Sequence, residues 1–185
     1  FITVWGFSAD NWSRTKEEAD GIMHVIDETL RVMLPEALEK NSRIVHIGRK
    51  DRIPQYLRET FENAEKLTEK NTGSVLSLAV DYAGQDQELR MYRKMMQDGV
   101  KDIIPELLVK YRDGGGVVPT ADLIIRTSGE KRTSDLGLLS INSELAFISK
   151  LLPNTGSKDI VEAIVDFTAR ERRFGGRPTG KVGSL

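Results

Sequence analysis

Asp122-Leu-Ile-Ile-Arg-Thr-Ser-Gly-Glu130 runs into Lys131-Arg-Thr-Ser134 and, after residues 135–142, into Ser143-Glu-Leu-Ala-Phe147. Leu123, Ile124 and Ile125 form a short apolar run that suits a buried parallel strand. The run ends in Arg126, Thr127, Ser128 and Gly129. A strand that stops in this way places a guanidinium fork and hydroxyls at the carboxyl edge of a sheet, where open α/β sheets bind ligands. Arg132 and Ser134 follow in the same loop. Two guanidiniums and several hydroxyls suit an oxyanion with many acceptor oxygens, and diphosphate fits best. Beside a diphosphate, the Glu144 carboxylate would hold Mg2+, which prefers carboxylate, water and phosphate oxygens. The same residues also suit a solvated turn with surface ion pairs, and residue types alone leave both readings open.

Outward from this stretch the chain alternates strand-like and helix-like segments, which predicts an α/β fold with a mostly parallel central sheet flanked by helices. Phe1-Ile-Thr-Val-Trp-Gly-Phe7 reads as a strand, and Ser8 to Arg14 as the loop at its carboxyl end. Thr15-Lys-Glu-Glu18 opens a helix as a capping box. Ile22, Ile26, Leu30, Met33 and Ala37 form its apolar stripe, and Pro35 is expected to kink or split it. His24 reads as a surface or interhelical residue.

Arg43 to Gly48 is the next strand, with His46 as a satisfied, half-buried histidine. Pro54 suits a helix start, and Leu57, Phe61, Ala64 and Leu67 continue that helix. Val75 to Val80 reads as a central strand from its continuous apolarity. Helical patterns follow near 87–96 and 103–111. Gly114-Gly-Gly116 reads as a flexible joint and lacks the Lys-Ser/Thr of a phosphate loop. Ser157 is expected to cap a last helix whose inner face carries Ile160, Val161, Ile164 and Phe167.

The 185 residues suit one domain with an adequate core. Lys plus Arg number 27 against 28 Asp plus Glu, so there is no basic excess, which argues against nucleic acid as a partner. The chain has no cysteine, which removes disulfides, thiolate zinc sites and cysteine nucleophiles. No apolar run reaches the length of a membrane span, which leaves peripheral contact as the form of lipid association.

The stretch from Arg126 to Phe147 resembles a signature of the cis-prenyltransferases, the undecaprenyl and dehydrodolichyl diphosphate synthase family. Phe7-Ser-Ala-Asp-Asn-Trp-Ser-Arg14 is similar to the family's Phe-Ser-x-Glu-Asn-Trp-x-Arg block, and Arg170-Glu-Arg-Arg-Phe-Gly-Gly176 to its C-terminal block. The likeness covers residues 1–176 as one domain, followed by a loose tail over 177–185. It implies that a first strand and an Asp-Gly-Asn-containing loop precede Phe1.

By this resemblance, Ser8, Ala9, Asp10, Trp12 and Arg14 line the substrate site and Asn11 handles a proton. Arg126, Arg132, Thr133 and Ser134 bind substrate, and Glu144 shares Mg2+. The resemblance also implies a deep hydrophobic cleft between two long helices, with the helix that carries Ile22 to Ala37 among its walls. The implied reaction joins isopentenyl diphosphate to an allylic diphosphate, farnesyl or similar, in a cytoplasmic homodimer that touches membranes peripherally. The alternative is a non-catalytic accessory subunit of such an enzyme.

Three departures stand out. Asp10 replaces a more usual Glu. Asp81-Tyr-Ala-Gly-Gln85 differs at three positions from Asn-Tyr-Gly-Gly-Arg, which leaves it an indirect, site-supporting role. The segment between Ser134 and Glu144 lacks the usual aromatics and is about one residue short.

Overall fold

The computed structural model describes residues 1–173 and 176; the expected tail over 177–185 lies outside the described residues. The fold is mixed α/β with parallel sheets flanked by helices. The chain forms two compact units, one of residues 1–119 with 135–139, the other of residues 120–134 with the chain from 140 onward.

In the first unit, β1 (Ile2–Ser8), β2 (Arg43–Ile47) and β3 (Val75–Tyr82) pair in the order β1-β3-β2, all parallel. Central placement of β3 follows from its apolar run, since a middle strand covered on both faces has no use for alternation. Parallel pairing brings the carboxyl ends of all three strands to one edge, so the loops after Ser8, Ile47 and Tyr82 share it.

Helix α1 (Lys16–Glu39) follows β1, and α2 (Gln55–Thr68) follows β2. Thr15 starts α1 by accepting the Glu18 N–H at 3.3 Å, as the capping sequence predicts. Pro35 does not split α1; it sits inside one continuous helix, with only a single turn beyond it. Met23 and Leu30 of α1 meet Leu57 and Phe61 of α2 with no exposed surface, over Phe7, Ile44 and Val80 of the sheet. Burial of each such side chain contributes about 1.5–3 kcal/mol. His24 stacks on Tyr56 across this pair, with ring centroids 4.7 Å apart.

The outer edge of β2 is covered by side chains instead of another strand. The N–H groups of Ile44, His46 and Gly48 donate to Thr68 Oγ1 at 3.0 Å, Glu65 Oε1 at 2.9 Å and Asp113 Oδ2 at 2.9 Å. A satisfied edge is closed to strand addition. His46 is buried, more deeply than expected, and its Nε2–H donates to the Val80 carbonyl at 3.0 Å.

Helices α3 (Gly84–Gln97) and α4 (Pro105–Tyr111) complete the unit. Asp135 receives α3: its carbonyl accepts from Gly84 N–H at 2.8 Å, and its carboxylate lies 3.2 Å from Gln85 N. Gly84 and Gly137 touch backbone to backbone, since a Cβ on Gly84 would lie 2.4 Å from Gly137 N. The shortened segment after Ser134 therefore docks on the start of α3. The Gly114–Gly116 turn is anchored by Asp113, which also pairs with Arg90.

The second unit holds β4 (Leu123–Arg126) and β5 (Glu144–Phe147) as a parallel pair, with α5 (Ser157–Thr168) beside them. Gly156 is the cap residue of α5 where Ser157 was expected, and the Asp159 carboxylate accepts the Gly156 N–H at 2.9 Å. Ile160 and Phe167 are half-buried as expected, whereas Val161 and Ile164 are exposed. No described helix is long and apolar enough to cross a membrane.

Candidate functional site

In the first unit, Ser8 ends β1 and caps a 3-10 turn over Ala9–Ser13. The Ser8 hydroxyl accepts the Asp10 N–H at 3.2 Å, and Asn11 Oδ1 accepts the Ser8 N–H at 2.9 Å. This reciprocal cap fixes the Asn11 side chain by its oxygen and leaves the donating amide N–H2 as its other end. Asp10 and Arg14 are exposed, and Ser8, Ala9, Asn11 and Trp12 are half-buried. Trp12 packs edgewise on Phe7 at 5.0 Å and donates Nε1–H to Asp81 Oδ1 at 2.9 Å.

Asp81 opens the loop that the sequence leaves an indirect, supporting role, and its side chain is tied to the Ser8–Arg14 turn. Its side chain is fully buried. Arg52 grips both carboxylate oxygens, donating Nε–H to Oδ2 at 2.7 Å and Nη2–H to Oδ1. The Asp81 backbone adopts φ +52°, and its carbonyl accepts the Arg49 N–H at 3.1 Å. A carboxylate closing an otherwise apolar strand is the signal that marks it, since such a group must find cationic or N–H partners.

In the second unit, Arg126 ends β4, and the loop that follows carries Thr127 to Ser134. The Ser128 and Gly129 N–H groups donate to the Lys150 and Ile148 carbonyls at 2.7 and 3.1 Å, and both residues take φ +68°. The loop therefore leaves the sheet through a fixed turn. Arg126 Nε is buried and has no hydrogen-bond partner among the described residues. Arg132 pairs with Glu130, and both are exposed enough for water to compete. Thr133 Oγ1 donates to the Ser134 carbonyl at 3.3 Å, and Ser134 is exposed with φ +53°.

Glu144 stands apart from the rest of this loop. The β4–β5 register sets it opposite Leu123, while Arg126 lies opposite Phe147. Three strand positions separate the two ends of the pair, about 10 Å. Glu144 Oε2 accepts from Arg170 Nη1 at 3.1 Å. Arg170 also binds Asp166 and the Leu145 carbonyl. Arg172 contacts Asp122 at 2.5 Å and the Asn142 carbonyl at 3.1 Å. The C-terminal arginines thus clamp the amino ends of β4 and β5.

No group of three or more potential metal ligands occurs among the described residues. A lone carboxylate already engaged by Arg170 at the far end of the sheet does not fit a Mg2+ shared with an anion on Arg126.

Parallel strands that end in cationic, hydroxyl-bearing loops define an α/β protein able to receive an anion at its carboxyl edges. The sequence model described as putative undecaprenyl diphosphate synthase matches residues 1–175. An isoprenyl transferase of Bacillus anthracis is 37% identical over 182 residues, covering 95% of this chain and 70% of that protein. One from Neisseria meningitidis serogroup A is 36% identical over 176 residues, covering 95% and 71%. Among solved structures, lavandulyl diphosphate synthase from Lavandula x intermedia, in complex with dimethylallyl diphosphate, superposes with a TM-score of 0.86 at 31% identity, covering 94% of this chain and 78% of that one. A probable undecaprenyl diphosphate synthase from Campylobacter jejuni gives 0.83 at 27% identity, covering 94% and 82%. The chain belongs to the cis-prenyltransferase family, whose class of activity is prenyl transfer.

Proposed function

We propose that the chain elongates an allylic diphosphate with isopentenyl diphosphate, forming cis double bonds and releasing diphosphate. The observation that carries this reading is Arg126, whose buried Nε at the carboxyl end of β4 lacks a partner among the described residues. A buried donor without an acceptor calls for a ligand that supplies one. Arg126, Arg132, Thr133 and Ser134 hold the isopentenyl headgroup as a fork and hydroxyls around phosphate oxygens. The allylic carbon–oxygen bond breaks while the isopentenyl double bond forms the new carbon–carbon bond. A proton then leaves the isopentenyl unit.

Ser8, Ala9, Asp10, Trp12 and Arg14 border the allylic substrate. Asn11 donates its amide N–H2 to a phosphate oxygen, and that oxygen or a water takes the proton, because an amide is a poor base. Mg2+ would supply charge neutralisation on the diphosphates. The residues around Glu144 do not form its cage.

The reading includes self-association, for which the exposed Val161, Ile164 and Val165 of α5 offer an apolar stripe. It also includes cytoplasmic action with peripheral contact to a membrane, since a polyprenyl product is itself a lipid. An accessory, non-catalytic role gains no support from relatives named as transferases and synthases.

The test is incubation with farnesyl diphosphate, labelled isopentenyl diphosphate and Mg2+. Label is expected in longer allylic diphosphates whose new double bonds read as cis by NMR. Unextended label, or new bonds that are all trans, would refute the reading.

A further inference from the structure

We infer that Asp81 is a positioning residue for the substrate loop Ser8–Arg14, acting through the Trp12 indole; the inference rests on the proposed function of that loop. The loops after β1 and β2 both attach to this one side chain and its carbonyl. The loop after β1 does so through Trp12 Nε1–H at 2.9 Å. The loop after β2 does so through Arg52 and through the Arg49 N–H on the Asp81 carbonyl at 3.1 Å. A buried carboxylate accepting three side-chain hydrogen bonds is rigid, and charge-assisted bonds are about twice as strong as neutral ones. Trp12 has the Phe7 ring on one side and Asp81 at its nitrogen, so its in-plane rotation is fixed. Asn11 precedes it and Arg14 donates its N–H to the Asn11 carbonyl at 3.1 Å, so the turn moves as one piece with the indole.

Arg52 has the complementary task. Its side chain is 39% exposed, while that of Asp81 is fully buried. The guanidinium therefore brings a solvated charge to neutralise a carboxylate that would otherwise be stranded in the core. Placement of the indole needs only the acceptor oxygen.

Two variants test this. Asp81→Gly removes the acceptor without straining φ +52°, which glycine adopts freely. It is expected to abolish the exchange protection of the Trp12 indole proton, read by NMR and assigned with Trp5→Phe. It should raise KM for the allylic diphosphate about tenfold and lower kcat severalfold, because Asn11 is displaced together with the indole. Asp81→Asn keeps an oxygen toward Trp12, and both indole protection and KM should stay within about twofold of the parent.

An indole proton equally protected in Asp81→Gly would overturn the placement. So would a released indole with unchanged KM, or a loss in Asp81→Asn as large as in Asp81→Gly. Should the glycine variant fail to fold, a roughly tenfold rise in KM or a loss of indole protection in Asp81→Asn would by itself overturn the placement. A parent chain without turnover would count against prenyl elongation; the positioning role is then judged by calorimetric affinity for inorganic diphosphate. That affinity should fall about tenfold in Asp81→Gly, and an unchanged affinity would overturn the role.

Discussion

Asn11 accepts the Ser8 N–H through Oδ1 at 2.9 Å, so a residue expected to handle a proton also holds the end of β1 in place. The two tasks use different atoms of one amide and can be separated. Asn11→Asp keeps the accepting oxygen and replaces the donor with a negative charge. Its unfolding free energy should match the parent, while turnover falls on the order of 10²-fold, since a carboxylate repels the diphosphate it should have bonded. Asn11→Ala should lose turnover similarly and also about 1 kcal/mol of stability, the usual net worth of the hydrogen bond from the Ser8 N–H that it removes. Urea melts beside steady-state rates check both. An Asn11→Asp chain with near-parental turnover would remove the side chain from the reaction.

Arg126 carries the anion reading, and its removal should be felt in turnover more than in folding. Its Nε already lacks an internal partner, so Arg126→Ala breaks no bond within the described residues. Turnover at saturating isopentenyl diphosphate should fall on the order of 10²–10³-fold, comparable to loss of one preorganised donor to a developing anion. The melting temperature should hold or rise. Single-turnover rates with the two proteins matched for folded fraction provide the check.

The fold was legible where local chemistry decides it. Continuous apolarity in Val75–Val80 announces a strand covered on both faces, and β3 is the middle strand. Thr15 with Glu18 announces the start of α1. Where a partner far along the chain decides, the sequence is silent. Asp27 lies on the apolar face of α1 and stays there because Arg31 donates to it at 2.8 Å, while the same guanidinium reaches Thr60 of α2 at 2.6 Å. Burial pushes the Asp27 carboxyl up, but the bonds from Arg31 and Thr60 prevail and hold it below its ordinary value. Periodicity also cannot say what covers a helix face, which is why Val161 and Ile164 read as inner residues and emerge exposed.

The candidate site divides in the same way. Arg126 follows from a strand ending in a cation, which is local. Glu144 depends on strand register, which sets it opposite Leu123 and not opposite Arg126, and no motif records register. Asp81 depends on Trp12, 69 residues away in the chain.

Gly48 makes the attachment of the β2 loop possible. Its φ is +123°, and a Cβ there would lie 2.1 Å from the Val80 carbonyl and 2.9 Å from that of Asp81. Neither backbone atom can yield without breaking the end of β3. Gly48→Ala should therefore cost on the order of 3 kcal/mol, from backbone strain and overpacking together. The urea midpoint reads this directly, and a shift under about 1 kcal/mol would mean that the loop has another route past β3.

His46 predicts how stability responds to acid. Burial pushes its pKa down from 6.5 to about 4, and Lys50 pushes the same way; the Val80 carbonyl, Glu65 and Asp113 oppose without prevailing. The folded chain therefore keeps the ring neutral at pH values where the unfolded chain protonates it. Between pH 6.5 and 4 the unfolded state binds the extra proton, so stability rises with pH across that window. The contribution is complete above pH 6.5 and is lost as pH falls toward 4, a total of about 3 kcal/mol at 1.36 kcal/mol per pKa unit. His46→Gln retains a donor for the Val80 carbonyl but cannot titrate. Urea unfolding at pH 6.5, 5.5 and 4.5 should show a slope in the parent steeper than in His46→Gln by close to one proton. Equal slopes would leave the buried imidazole without a part in the acid sensitivity.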